Sequence, residues 1–219
     1  MNYLITVVNA EDAPKLEGLC QTLELPGSVV LRGRGTAVKS MLDLLGIEST
    51  EKRILLAAAS TEKTQAFLQA AKNQLFIGVP GHGIVIAVPV KSVGGGKTLH
   101  YLNNGQPAAK YTPELSAQYE LIIAIANEGR TDLVMNAARA AGATGGTVLH
   151  GKGTGSKNAE KFYNVSIAQE KEVLLIVSRA DRKAEIMASI LRSAGPASEA
   201  GAITFSLPIS EVAGFGLLD

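Results

Sequence analysis

Short apolar runs alternate along this chain with stretches in which apolar residues recur every three or four positions. Leu4–Val8, Val29–Leu31, Ile54–Ala58 and Ile84–Val88 are continuous or nearly continuous apolar runs, short enough for buried strands. Between them, Leu16, Leu19, Cys20 and Leu23 share one helical face, and a second helix is predicted over Phe67 to Leu75. The same succession returns later. Leu121–Ala126 reads as a strand, and Leu133, Val134, Ala137, Ala138 and Ala141 as a helix stopped by Gly142. Thr147–Leu149 and Val173–Val177 read as strands, and Asp181 is placed to open a helix carrying Ile186, Met187, Ile190 and Leu191. Ala202–Leu207, with alternating Ile203, Phe205 and Leu207, completes the series as a strand.

The two successions are copies. "GSVVLRGRGT" from Gly27 and "GGTVLHGKGT" from Gly145 share six of ten residues. At the same spacing "LITVVN", ending at Asn9, lies over "IIAIAN", ending at Asn127; one residue further on, "EKRILL" from Glu51 meets "EKEVLL" from Glu170 and "PVKSVGG" from Pro89 meets "PISEVAG" from Pro208. The expected organisation is a first copy over residues 1–95, a Gly-, Asn- and Pro-containing linker over 96–117, and a second copy over 118–219. Each copy has the order β-α-β-β-α-β. Right-handed crossovers turn that order into an α+β ferredoxin-like domain, a four-stranded antiparallel sheet with both helices on one face. The opposite sheet face is left bare, and burying it against another copy or chain predicts a homo-oligomer.

Composition narrows the function. Over 219 residues the formal net charge is +1 with 46% hydrophobic residues, and the basic residues are dispersed, so nucleic acid is not an expected partner. The apolar runs are too short to cross a bilayer, and the first residues lack the basic and apolar regions of a signal peptide, which makes a cytoplasmic location the expectation. Cys20 is the single cysteine and falls on a core helical face. His82, His100 and His150 have no ligand partners at metal-binding spacing.

The candidate chemistry lies where strand two ends, at Gly33-Arg34-Gly35-Thr36 and Gly151-Lys152-Gly153-Thr154. Glycines at alternate positions let a backbone turn and present N–H groups to an anion, while the basic residue adds charge and the threonine a hydroxyl. The same residues also suit a strand end that opens into a loop with a solvated cation. A second glycine turn, Gly78 to Gly83, contains Gly81, His82 and Gly83; it is either a close approach to a ligand or a helix-to-strand connection. The segments 37–50 and 155–169 are long, and Met41, Leu42, Leu44, Leu45, Phe162, Tyr163 and Val165 make a short docked helix the expectation there. "KSVGGGKT" (91–98) imitates a phosphate-binding loop, but Lys91 stands where its first glycine is required, so Lys97 is better read as a linker residue than as the centre of a nucleotide hydrolase.

As a pattern, the glycine motif after strand two, the long following loop, Gly81 and Gly83 before strand four, and the Pro89-Val90 and Pro208-Ile209 strand ends resemble the PII-type nitrogen regulatory signalling proteins. The resemblance covers both copies apart from the linker. It implies a non-enzymatic regulator, linked to nitrogen metabolism, that senses a small-molecule effector and engages a target protein through its long loops. It also implies ATP or ADP bound in clefts between subunits, with contacts at Gly33, Gly35, Gly151, Gly153, Gly81 and Gly83; Arg34, Thr36, Lys152, Thr154 and His82 stand beside them as candidates on their own side-chain chemistry. Where the family carries an Arg-Gln pair after the second glycine, this chain has Thr36-Ala37 and Thr154-Gly155. Fewer charge-assisted contacts to a triphosphate follow. Two further readings remain beside it: a nucleotide-binding hydrolase, and a scaffold that binds only protein.

Overall fold

The computed structural model describes residues 1–25, 27–36, 51–79, 81–91, 93, 100–101, 105, 117–153, 161–162, 165–166 and 170–214. The first half runs β1 (Asn2–Asn9), a 3-10 turn (Ala10–Asp12), α1 (Ala13–Thr22), β2 (Val29–Gly35), β3 (Glu51–Ala59), α2 (Thr61–Gln74) and β4 (Gly83–Pro89). The second half runs β5 (Tyr119–Asn127), α3 (Thr131–Ala140), β6 (Thr147–Lys152), β7 (Lys161–Phe162), β8 (Val165–Ser166), β9 (Glu170–Arg179), α4 (Lys183–Ala194), β10 (Ile203–Ile209) and β11 (Glu211–Ala213). Strand order is β4-β1-β3-β2 in one and β10-β5-β9-β6 in the other. Both are the ferredoxin-type order, with β1 antiparallel to β3 and β4.

Alternation of side chains across each strand selects one face for the helices. In the first half Leu4, Val8, Leu55, Ala57, Val85 and Ala87 pack with Leu16, Leu19 and Cys20 of α1 and Phe67, Leu68 and Ala71 of α2. Phe67 is wholly buried; burying a side chain of that size contributes about 2–3 kcal/mol. In the second half Ile122, Ala124, Ala126, Val148, Leu174 and Ile176 meet Val134, Met135 and Ala138 of α3 and Ile186 and Ile190 of α4. The two helices there are joined by the Ser189 hydroxyl, which donates to the Ala137 carbonyl at 2.7 Å. Leu133 and Leu191, at expected core positions, are instead 40% and 44% exposed.

Several elements depart from expectation because their partners are distant in sequence. The two compact units do not follow the repeat boundaries. One holds β1, α1, β2 through Arg32, β3, α2 and β4 together with β11, while the other takes β2 from Gly33 onward with β5 to Leu207. Pairing explains both exchanges: β11 is antiparallel to β4, with Val212 opposite Ile86, and the end of β2 is antiparallel to β6. Helix α2 starts six residues earlier than its apolar face suggests, because Ser60 accepts a hydrogen bond from the Lys63 amide and so starts the helix. Asp181 does not open α4; its carboxylate is held by the Arg179 guanidinium, at 3.1 Å from Nε, and lies below its usual pKa for that reason. The expected docked helices fall on segments 37–50, outside the described residues, and 155–169, where the described parts are the antiparallel pair β7–β8. The linker is described only at His100, Tyr101, Gly105 and Ala117. The sheet face away from α1 and α2 is not bare, since Ile5, Val7, Ile54 and Ile86 all lie at 7% exposure or less in the single chain.

Candidate functional site

Gly33, Arg34 and Gly35 are strand residues of β2, not a turn. Arg34 lies opposite Val148 and Gly35 opposite Thr147. Strand pairing therefore occupies backbone groups that the sequence leaves open to an anion. Thr36 continues the connection: its amide and its hydroxyl both donate to the Gly146 carbonyl, each at 2.9 Å. Its own carbonyl accepts from the Arg139 guanidinium of α3. Residues opposite one another in an antiparallel pair share a face, and Val148 belongs to the core beneath α3 and α4. Arg34 is thus on the helix-bearing face, the one from which Arg139 reaches Thr36. Arg139 also donates to Asn136 at 3.3 Å, while its Nε is buried without a partner among the described residues.

The second motif is arranged differently. Gly151 and Lys152 end β6, opposite Lys171 and Glu170, and Gly153 follows directly; Thr154 lies outside the described residues. Lys152 is paired with Glu170 at 3.4 Å, whereas Arg34 forms no ion pair among the described residues. The two motifs are not brought together. Gly33–Thr36 meets the start of β6 and Gly151–Lys152 is its end, about 13 Å further along at ~3.3 Å per residue.

In the other unit, Gly81, His82 and Gly83 lead into β4, with positive φ at Gly81 (88°) and Gly83 (141°). His82 packs edge-on against Phe76, ring centroids 6.0 Å apart, so its ring serves packing. The Gly81 carbonyl accepts from the Asn9 amide, whose oxygen accepts from Lys52. The second half repeats this clamp: Asn127 donates to the Glu199 carbonyl and accepts from Lys171. Asn9 and Asn127, and Lys52 and Lys171, are matched positions of the repeat, so the signal for the clamp was present in sequence. No such signal exists for Arg139, whose counterpart is Gln21.

Two further groups bear on chemistry. Glu172 is 3% exposed and accepts from the Thr131 amide (2.9 Å), the Thr131 hydroxyl (2.7 Å) and the Arg130 amide (3.2 Å) at the start of α3. It is structural. Burial, reinforced by the nearby Glu17 charge and opposed by a hydrogen bond with Ser28, pushes the Cys20 thiol up to about 11 from 9.0. A raised pKa favours the folded state below pH 9 and loses that contribution as pH climbs toward 11. At pH 8 the thiolate is scarcer by about a hundredfold than in an unperturbed thiol, so iodoacetamide should label Cys20 at least that much more slowly in the folded chain than in urea. Mass spectrometry of the time course checks this, and equal rates would contradict it. Among the described residues no three His, Cys, Asp or Glu side chains are grouped to hold a metal ion, and no helix is long and apolar enough to cross a membrane.

Residues 119–215 match the family model described as nitrogen regulatory protein P-II. No curated protein matches the chain. Among solved structures, the PII protein of Arabidopsis thaliana bound to citrate is similar at 22% identity over 43% of this chain and 78% of that one, with a TM-score of 0.34. The matched residues begin with β5 and extend past β11, taking in the whole β-α-β-β-α-β series of the second half. Through that half, the chain is a relative of the nitrogen regulatory P-II proteins.

Proposed function

We propose that this chain is a non-enzymatic regulator made of two PII-like copies, residues 1–95 and 118–219 joined by a linker over 96–117. It senses a small anionic or nucleotide effector and acts on a partner protein through the segments that follow β2 and β6. The observation that carries the reading is the P-II match over residues 119–215, whose repeat the first half shares at Gly27–Thr36. A link to nitrogen metabolism, a cytoplasmic location and assembly into a homo-oligomer belong to the same proposal.

The effector is placed at Arg34, with Gly33 and Gly35 allowing close approach and Thr36, whose own donors go to Gly146, ordering the strand end beside it. Supporting this, Arg34 and Arg139 are two guanidinium groups directed to the same sheet face, where Arg139 fixes the Thr36 carbonyl. Gly151, Lys152, Gly153 and Thr154 are a weaker counterpart, because Glu170 already neutralises Lys152. Gly81, His82 and Gly83 complete the proposed contacts. ATP and ADP are candidate effectors, beside phosphate and small carboxylates.

Thermal-shift titration with each of these at millimolar concentration tests the proposal, since a ligand of the folded state raises its stability by mass action. Arg34→Ala should weaken the effector by about tenfold or more, the loss of one charge-assisted contact, and Lys152→Ala by less. Absence of any shift overturns the effector reading, and equal effects of the two substitutions overturn the placement. Lys97, on which a hydrolase would depend, lies outside the described residues.

A further inference from the structure

The two halves differ at the outer edge of the strand that ends each ferredoxin-like series. In the first unit β4 has β1 on one side and β11 on the other, antiparallel, with Glu211 opposite Ala87, Val212 opposite Ile86 and Ala213 opposite Val85. Ser210 leads into that pairing: its amide and its hydroxyl both donate to the Ala87 carbonyl, at 2.9 and 3.0 Å. In the second unit β10 has β5 as its single neighbour among the described strands. The residues concerned are matched by the repeat, since Val85, Ile86 and Ala87 correspond to Thr204, Phe205 and Ser206. Their surroundings are not alike. Val85, Ile86 and Ala87 all lie at 3% exposure or less, whereas Phe205 is 43% exposed and Ile203, on the same face, 51%. A row of strand N–H and C=O groups flanked by exposed apolar side chains is a template for another strand.

The repeat also identifies the strand that fits. β11 lies within "PISEVAG" from Pro208, and the counterpart after β4 is "PVKSVGG" from Pro89, so Lys91 corresponds to Ser210 and Val93 to Val212. Within one chain neither Lys91 nor Val93 is a strand residue, and neither pairs with β10. We propose that the edge of β10 takes the residues around Val93 from a second copy of this chain, in the register that β11 adopts on β4. Val93 then lies opposite Phe205, and the Lys91 amide donates to the Ser206 carbonyl as that of Ser210 does to Ala87. Main-chain hydrogen bonds hold the added strand, and the valine-phenylalanine pair fixes its register. The inference rests on the homo-oligomer proposed above and names its contact. Each chain offers one such segment and one such edge, so the contact is heterologous and is completed only in a closed ring, of which the reciprocal pair is the smallest.

Cross-linking tests the pairing. Two full-length variants with different tags, Val93→Cys and Phe205→Cys, each also carrying Cys20→Ala, are co-expressed and treated with a short bismaleimide. A covalent product containing both tags is expected, with little from either variant alone. Lys91→Pro, which removes the amide that mirrors Ser210, should weaken self-association by about tenfold or more in analytical ultracentrifugation. Lys91 is exposed and outside the helices and strands, so the circular dichroism of that variant should match the parent's. The pairing is overturned if the two-tag product does not form, if either variant alone gives as much, if a chain carrying both cysteines links only within itself, or if Lys91→Pro assembles like the parent. A parent that sediments as a single chain at every concentration removes the homo-oligomer of the regulatory reading as well, whereas an oligomer without the two-tag product removes this contact alone.

Discussion

Gly83→Ala should destabilise the first unit by about 3–5 kcal/mol, a large part of what a domain of this size has. Two independent causes act on this residue. Its φ of 141° belongs to backbone that side-chain-bearing residues avoid. A Cβ there would also sit 2.2 Å from the Val7 carbonyl oxygen and 3.1 Å from Ile77 Cδ1. Ile77 could rotate away; the Val7 carbonyl could not, because β1 is held between β3 and β4 with Val8 opposite Gly83. The comparison that isolates the clash is Gly81→Ala two residues earlier. Gly81 also has positive φ, 88°, but an added Cβ would meet open space. Only the conformational cost, about 1–2 kcal/mol, applies to it. Urea denaturation followed by circular dichroism should therefore rank Gly83→Ala well below Gly81→Ala. If the two midpoints coincide, the close approach of β4 to Val7 is not what requires glycine. The consequence reaches the proposed function: Gly83 then serves strand packing, and of the two glycines only Gly81 has open space beside its Cα.

The same distinction explains how much was legible in the sequence. Local pattern and the internal repeat were enough for the order of strands and helices, because each apolar run lines a core formed largely within its own half. They were not enough for elements set by a partner far away. Gly33-Arg34-Gly35 looks like a turn by composition, yet it is strand because Thr147 and Val148, more than a hundred residues on, pair with it. Glu211–Ala213 is strand because β4 offers it an edge. Polar groups behaved likewise. Thr36 reads as a hydroxyl available to a ligand, but Gly146 takes its hydrogen. Asp181 reads as a helix cap and is drawn to Arg179 instead. At the candidate site, the residue types were visible and their occupancy was not: Arg34 and Lys152 are matched in sequence, yet Lys152 lies against the Glu170 carboxylate of β9 while Arg34 lies opposite Val148 of β6.

Glu172→Ala should cost about 2–4 kcal/mol, although glutamate on a strand looks dispensable. Helix α3 begins without a capping side chain of its own, since Arg130 occupies the N-cap position and makes no cap bond. Its first amide groups need an acceptor, and the carboxylate arrives from β9 across the unit. Thr131 is 4% exposed, so deleting the carboxylate strands its amide and hydroxyl where water cannot replace the partner. The negative charge is also lost from the positive end of the helix dipole. Glu172→Gln keeps one acceptor oxygen and should lose about 1 kcal/mol, so the ordering Glu, Gln, Ala in urea midpoint is the expected result. An alanine variant as stable as the glutamine one would show that the hydrogen bonds contribute little. The first half has no equivalent: Arg53 stands at the matched position, and α1 is entered through the Ala10–Asp12 turn instead. Sensitivity to this acid thus belongs to one half alone, and Arg53→Ala should leave the start of α1 unaffected. The two halves then share strand order while fixing their first helices by different chemistry. That divergence lies in β9, the strand that begins where the segment 155–169, proposed to meet a partner, ends.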